Sequence, residues 1–243
     1  MKKADLNPNI YLQEGNSVLV DDENYGFLIF SLPARETCPF ATDMCKKICY
    51  GRNAQELFKH VYNCRTRNYK ETIKETFVAD MIENITYQLS RKKYKTKTIL
   101  FRIHETGDFY NQEYFDKWKQ IADYFKNDNR IIFQAYTKSL AYLKKYNISD
   151  INIKIMFSIL PDTDPFDIEV AKSLKLNTFS AVPIEWFEKV EPSKQCKGNC
   201  SVCKCCYVGT ADMYVEFHGN RAPRKRGRLD YEKSLYWSWK EKH

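Results

Sequence analysis

The run TILFRIHETGDFY at 98–110 decides the fold. Its first six residues are mostly apolar, β-branched or aromatic, and read as a strand. They end at once in a polar cluster built around Gly107. Downstream, Tyr114, Trp118, Ile121, Ala122 and Phe125 recur at helical spacing, so an amphipathic helix follows. The same unit recurs on both sides. Residues 130–136 (RIIFQAY) are predicted to form a strand and 139–146 a short helix. Residues 153–159 (IKIMFSI) are another strand, and Asp164-Pro165 offers an N-cap and a first-turn proline for a helix to about Leu174. Residues 178–182 form a further strand and 213–217 a last candidate. Upstream, 26–32 (GFLIFSL) is the first strand, closed by Pro33.

Between the first two strands the spacing is helical. Leu57 and Val61 fit one short helix. Ile73, Phe77, Met81, Ile85 and Leu89 step by four, with Val78 and Ile82 beside them, and predict a long one. The polar stretch 64–71 is expected to interrupt it. The basic run 91–97 (RKKYKTK) suits the negative end of a helix dipole. Strands alternating with helices predict βαβ units and a largely parallel sheet. The fold class is therefore α/β: a partial (β/α) barrel or curved, mostly parallel sheet, with a cysteine-rich C-terminal metal-binding segment. An open doubly wound sheet is the alternative topology. One domain is expected over 1–243, with a βα core at 26–190 and a C-terminal segment at 191–243. In such folds the loops at the C-terminal strand ends form the site.

The composition narrows the function. The 243 residues are 43% hydrophobic and 15% aromatic, enough to bury a core and to exclude wholesale disorder. Mean hydropathy is −0.60 and no run approaches about eighteen apolar residues, so no membrane-spanning helix is expected. The opening MKKAD leads into polar residues, which argues against a secretory leader and for a cytoplasmic protein. Lys and Arg total 39 against 31 Asp and Glu, a net charge of +8 that favours anionic partners.

Nine cysteines are the informative count. In a reducing compartment they are thiols, and metal is the leading reason for so many. Cys38-x6-Cys45-x3-Cys49-Tyr50 lies directly after the first strand, in a stretch read as a loop. Three thiolates can hold three irons of a 4Fe-4S cluster and leave the fourth open to an exogenous ligand. The alternative is a structural zinc completed by Cys64. Cys196, Cys200, Cys203 and Cys206 form Cys-x3-Cys-x2-Cys-x2-Cys, four thiolates able to wrap a second, closed cluster. Zinc is the alternative there too. Gly198 gives the backbone room to turn, and Cys205 is either a substitute ligand or a spare thiol.

Polar groups at the strand ends complete the candidate site. Alternation puts Arg102 and His104 on one face, aimed at the ligand space. Gly107 allows a positive φ or close approach of a ligand, and Asp108 could take an amino group. A turn with an Asp cap is the plainer reading of the same residues. Thr137 and Lys138 end the third predicted strand and Ser158 lies near the end of the fourth. Thr137 and Lys138 could hold a carboxylate or phosphate, or simply cap the next helix. The basic run RAPRKRGR at 221–228 could meet phosphates, and Tyr231, Leu235, Tyr236 and Trp239 suit a docked helix.

An ordered set of short motifs resembles the phage gene product 88 family. It comprises Ser31-Leu32-Pro33-Ala34, Thr37-Cys38-Pro39, Cys45-Lys46-Lys47-Ile48-Cys49-Tyr50, Arg102-Ile103-His104, Gly107-Asp108-Phe109, Tyr114, Trp118 and Tyr136-Thr137-Lys138. The three-cysteine loop ending in Cys-Tyr is also similar to phage proteins related to radical S-adenosylmethionine enzymes. The usual motif of those enzymes is Cys-x3-Cys-x2-Cys with an aromatic before the last cysteine. Here the spacings are six and three, and Tyr50 follows the last cysteine. The resemblance implies S-adenosylmethionine chelated at the open iron and cleaved by one electron to a 5′-deoxyadenosyl radical that takes hydrogen from substrate. It makes Arg102, His104 and Asp108 candidate catalytic residues, and Tyr50, Gly107, Asp108, Thr137, Lys138 and Ser158 candidate cofactor contacts. It also calls for an electron donor such as ferredoxin or flavodoxin. The reading from a different class is a non-catalytic, zinc-stabilised nucleic-acid-binding protein, using 91–97 and 221–228.

Overall fold

A computed structural model describes residue 4 and residues 6–217. Six strands, β1 (Tyr25–Phe30), β2 (Thr98–Ile103), β3 (Ile131–Thr137), β4 (Lys154–Ile159), β5 (Asn177–Val182) and β6 (Met213–Glu216), form one sheet in chain order. Every neighbouring pair is parallel. Strands laid down in sequence with right-handed crossovers leave all connecting helices on the same face. The sheet curls around its uncovered face into a half-barrel, the curved alternative of the sequence reading.

The helices are α1 (Asp43–Ile48), α2 (Tyr50–Leu57), α3 (Lys59–Thr72), α4 (Phe77–Ser90), α5 (Gln112–Tyr124), α6 (Pro165–Ser173) and α7 (Ile184–Phe187). Two single turns, α8 (Cys200–Cys203) and α9 (Cys205–Val208), precede β6. The period-four residues Phe77, Met81, Ile85 and Leu89 of α4 are buried against the sheet, as the spacing requires. Trp118 of α5 sits at the centre of this core, with Phe30, Phe77 and Phe101 rings 5.4–5.9 Å away. The proline-started helix appears as read, with Asp164 accepting from the Phe166 N–H.

Three local expectations are corrected. The first cysteine group is not all loop: Cys45 lies inside α1 and Cys49 joins α1 to α2. The polar stretch 64–71 does not interrupt a helix but completes α3, and the break falls after Thr72. Its polar side chains have long-range partners that no periodicity records. Asn68 bonds the Tyr11 and Ser31 carbonyls, and Arg65 bonds the Gly51 carbonyl at 2.7 Å. Finally, 139–146 holds only a 3-10 turn at Leu140–Tyr142, because Ser139 sits at φ −85°, ψ 54°, outside the helical region.

Candidate functional site

The concave face and the C-terminal strand ends enclose an open cavity of about 630 Å³. Its lining gathers residues from both cysteine groups. Cys38, Cys45, Cys49 and Tyr50 come from the β1–α2 connection, and Cys196 and Cys200 from the segment before β6. Arg102, His104, Gly107, Asp108, Thr137, Lys138 and Ser158 line it as well. Cys203 and Cys206 fall outside that lining, as do the alternative ligands Cys64 and Cys205.

The first group is mounted by loops clamped together. Leu32 N–H donates to the Thr106 carbonyl and the Thr106 hydroxyl to the Leu32 carbonyl, both at 2.9 Å. Asp108 N–H donates to the Thr37 carbonyl. Gly107 stands between them at φ +87°, and a Cβ there would lie 2.6 Å from Leu32 Cβ and 2.7 Å from Thr37 Oγ1. The close approach that Gly107 permits is therefore of protein to protein. Thr42 caps α1 by accepting from Cys45 N–H, while its own hydroxyl donates to Asp162 at 2.7 Å. Asp162 also accepts from Met44 N–H. Cys45 is thus held between the ends of β1 and β4. Asp162 escaped the sequence reading, although it stands two residues before the recognised cap Asp164.

Asp108 is buried and fully engaged. Oδ1 accepts from the Thr137 hydroxyl at 2.6 Å and from Phe109 N–H at 2.7 Å, and Oδ2 accepts from Lys138 N–H at 2.9 Å. Burial pushes its pKa up to about 6 against those donors. Thr137 also accepts from Ser139 N–H, a local turn bond rather than the expected helix cap, since Ser139 itself is the N-cap of the 3-10 turn that follows. Lys138 reaches the Ser158 carbonyl at 2.6 Å and the Thr163 hydroxyl at 3.3 Å. Burial lowers its pKa, while Cys45, Asp162 and Asp108 oppose the shift.

Alternation fails at His104. A φ of +68° turns its ring toward the helix-side core, 4.9 Å from Phe109 and 5.6 Å from Tyr114, with Nε2 2.8 Å from the Tyr114 hydroxyl. Burial first, and the Arg102 charge second, depress its pKa to about 3, so the imidazole is neutral. Arg102 does face the cavity. Its guanidinium lies 3.9 Å from the Tyr136 ring centroid, and Nε donates to the His104 carbonyl. Burial opposes its charge, yet Tyr136, Tyr207, Tyr50 and Cys200 hold its pKa above the ordinary value.

Three thiols meet in the first group. Burial raises the pKa of Cys38 and of Cys45, and neighbouring thiols add to both shifts. Cys64 is outside the cavity lining, on α3, with Arg67 Nη2 3.3 Å from its sulfur. A zinc completed by Cys64 therefore lacks its fourth donor there. In the second group, Cys200 and Cys206 pack on the concave-face cluster of Phe27, Ile29, Leu100 and Tyr207. Burial raises their pKa values to about 11 and about 12. The free thiols of Cys203 and Cys205 are hydrogen-bonded to each other instead. Gly198, at φ +65°, turns the chain in open space, and Lys204, at φ +53°, separates α8 from α9. Among the described residues, no three His, Cys, Asp or Glu side chains gather closely enough to hold a single ion. The donors present are thiols spread around a cavity. Such a set could hold a cluster, in which each thiolate would bind a different iron and loading would release protons.

Residues 7–164 match the family described as Gene product 88. The chain belongs to the gene product 88 family. The Gene 88 proteins of Mycobacterium phages D29 and L5 are each 28% identical to it over 150 residues. The match takes in 57% of this chain and 57% of each relative. No solved structure matches the chain at a significant level. The gene product 88 match covers β1 to β4 and the first cysteine group, and stops before Cys196. No helix among the described residues is long and apolar enough to cross a membrane. In the basic run 91–97, Arg91 pairs with Glu14, and Lys93 with Glu14 and Asp21. The expectations for 221–228 and for Tyr231, Leu235, Tyr236 and Trp239 lie outside the described residues.

Proposed function

We propose that this member of the gene product 88 family is an iron–sulfur redox enzyme of the radical S-adenosylmethionine kind. One observation carries the reading: three thiols without a fourth share one cavity with members of a second cysteine group, at the open end of a parallel half-barrel. Its volume of about 630 Å³ is in the range that holds a cofactor-sized ligand. Cys38, Cys45 and Cys49 would hold three irons of a 4Fe-4S cluster. Cys196, Cys200, Cys203 and Cys206 would hold a second one, for which Cys203 must turn from Cys205. When bound, the open cluster would supply an electron at low potential and S-adenosylmethionine the radical chemistry that takes hydrogen from substrate.

The surrounding residues have roles that follow from their bonds. Lys138 has spent two ammonium hydrogens on Ser158 and Thr163, and offers the third to a carboxylate. Asp108 positions Thr137 and Lys138 by tying the β2–α5 loop to the end of β3. Tyr50 donates its hydroxyl to the Glu105 carbonyl and so fixes the start of α2 beside Cys49. The reading needs a reducing compartment, the cytoplasm, where nine free thiols persist, and a low-potential donor of the ferredoxin or flavodoxin type.

The test is iron and sulfide analysis of protein made without oxygen, with electron paramagnetic resonance. Two clusters are expected, one of whose spectra changes on adding S-adenosylmethionine. A colourless protein with stoichiometric zinc overturns the reading. So does a first cluster whose spectrum ignores S-adenosylmethionine.

A further inference from the structure

Three polar groups on the concave face, two of them fully buried, have unmet bonding capacity. Gln134 is fully buried, and neither its amide nitrogen nor its amide oxygen has a partner among the described residues. The Tyr207 hydroxyl is likewise buried, with the Arg102 guanidinium as its polar neighbour and no acceptor for its own hydrogen among the described residues. Arg102 is half-buried, and among the described residues no carboxylate pairs with it; its contacts include the Tyr136 ring, the His104 carbonyl and the Tyr207 hydroxyl, all of them neutral. Buried donors left unbonded and a cation left without a counter-charge are both costly, so their coincidence indicates an absent acceptor.

The three groups are neighbours. Arg102 and Gln134 face each other in the β2–β3 register. Gln134 lies two residues from Ile132 and from Tyr136, so strand alternation puts all three on the concave side. Tyr207, from α9, packs on Phe27 of the same face at 6.1 Å. Cys200 and Cys206 pack on the cluster that contains Tyr207, and the Arg102 charge acts on both thiols. Thiolates and sulfides of a cluster are acceptors only and carry net negative charge, the complement of a guanidinium, an amide NH₂ and a phenol.

We infer that Arg102, Gln134 and Tyr207 form a charge-compensating floor for the C-terminal cluster and raise its reduction potential. The inference rests on the second cluster proposed above and assigns Arg102 to that cluster as a positioning residue. Removing the positive charge disfavours the extra electron of the reduced state. Removing a donor to sulfur does the same more weakly.

The experiment is a redox titration of the whole anaerobic protein, followed by electron paramagnetic resonance. The signal lost in Cys206→Ser identifies the C-terminal cluster. Arg102→Gln should shift its oxidised-to-reduced ratio at fixed potential by about tenfold or more toward oxidised, 59 mV for a one-electron couple. Gln134→Leu and Tyr207→Phe should shift it the same way by less, and Arg102→Lys should stay near wild type. Where Arg102→Gln fails to load, the two milder variants still carry the reading. Iron at both sites with an unmoved C-terminal potential overturns the inference alone, and points to a buried water as the partner of Gln134. Zinc at the C-terminal cysteines overturns the inference together with the cluster it rests on.

Discussion

The two cysteine groups face one cavity but are built differently. The first is held by protein. Cys45 sits in α1, whose cap Thr42 is bonded to Asp162, and the adjoining loop is locked to the β2–α5 loop through Leu32, Thr37 and Gly107. The second hangs on two single turns of helix, with Val202 and Val208 exposed, and is tied down by buried Tyr207, the Lys204 pair with Asp22, and backbone bonds from Cys196 to Tyr214 and from Cys200 to Val18. A preorganised three-donor site suits a metal centre that must keep one corner vacant. On the proposed reading, the second site, built on single helical turns, would be organised by the metal that closes it.

The comparison can be broken most sharply by deleting ligands. Cys38→Ala, Cys45→Ala or Cys49→Ala should each abolish the first cluster's resonance signal and leave the second, while Cys64→Ala spares both. Loss on Cys64→Ala would mean that the first site is closed. Iron chelation should come next. Protease cleavage within 191–217, mapped by mass spectrometry, should quicken by about tenfold or more, while β1 to α5 stays resistant. Equal sensitivity in both regions would remove the contrast.

Gly107→Ala strains the first mount alone. It should cost roughly 2–3 kcal/mol in denaturant unfolding, since positive φ and two close contacts act together. The second cluster's spectrum should be unchanged. The smallest effect concerns pH. The His104 pKa falls from 6.5 to about 3 on folding, so below pH 6.5 the unfolded chain takes up a proton that the native one refuses. Stability tied to this group is whole above pH 6.5 and is lost as pH drops toward 3. His104→Gln removes that slope and should gain roughly 2 kcal/mol relative to wild type at about pH 5, at 1.36 kcal/mol per unit. An unchanged slope in denaturation curves from pH 4 to 7 would contradict the assignment. Asp108, whose pKa is raised to about 6, acts in the opposite direction and is common to both proteins.

What was readable, and what was not, follows from range. The strands were legible because fully buried parallel strands are near-continuous apolar runs, and α6 because Asp164-Pro165 is a local signal. Helix α1 was hidden because its cap is completed by Asp162, 120 residues away. The interior of α3 looked like a break because its polar face is satisfied by Tyr11, Ser31 and Gly51. His104 was placed on the wrong face because alternation assumes an extended backbone, and a non-glycine positive φ leaves no trace in composition. Gln134 did leave one, as the single amide in an apolar strand.

By itself, the order of residues established a parallel α/β chain with three thiols and then four more at metal-ligand spacings. Those are local properties, carried by hydrophobic periodicity and by the number of residues between cysteines. Only the folded molecule could decide that both groups open on the same cavity, that Cys64 is not among them, and that Arg102 turns toward thiols while His104 turns away. The reason is that curling the sheet brings the strand ends, and with them the loops they carry, around one concave face, whatever their separation along the chain.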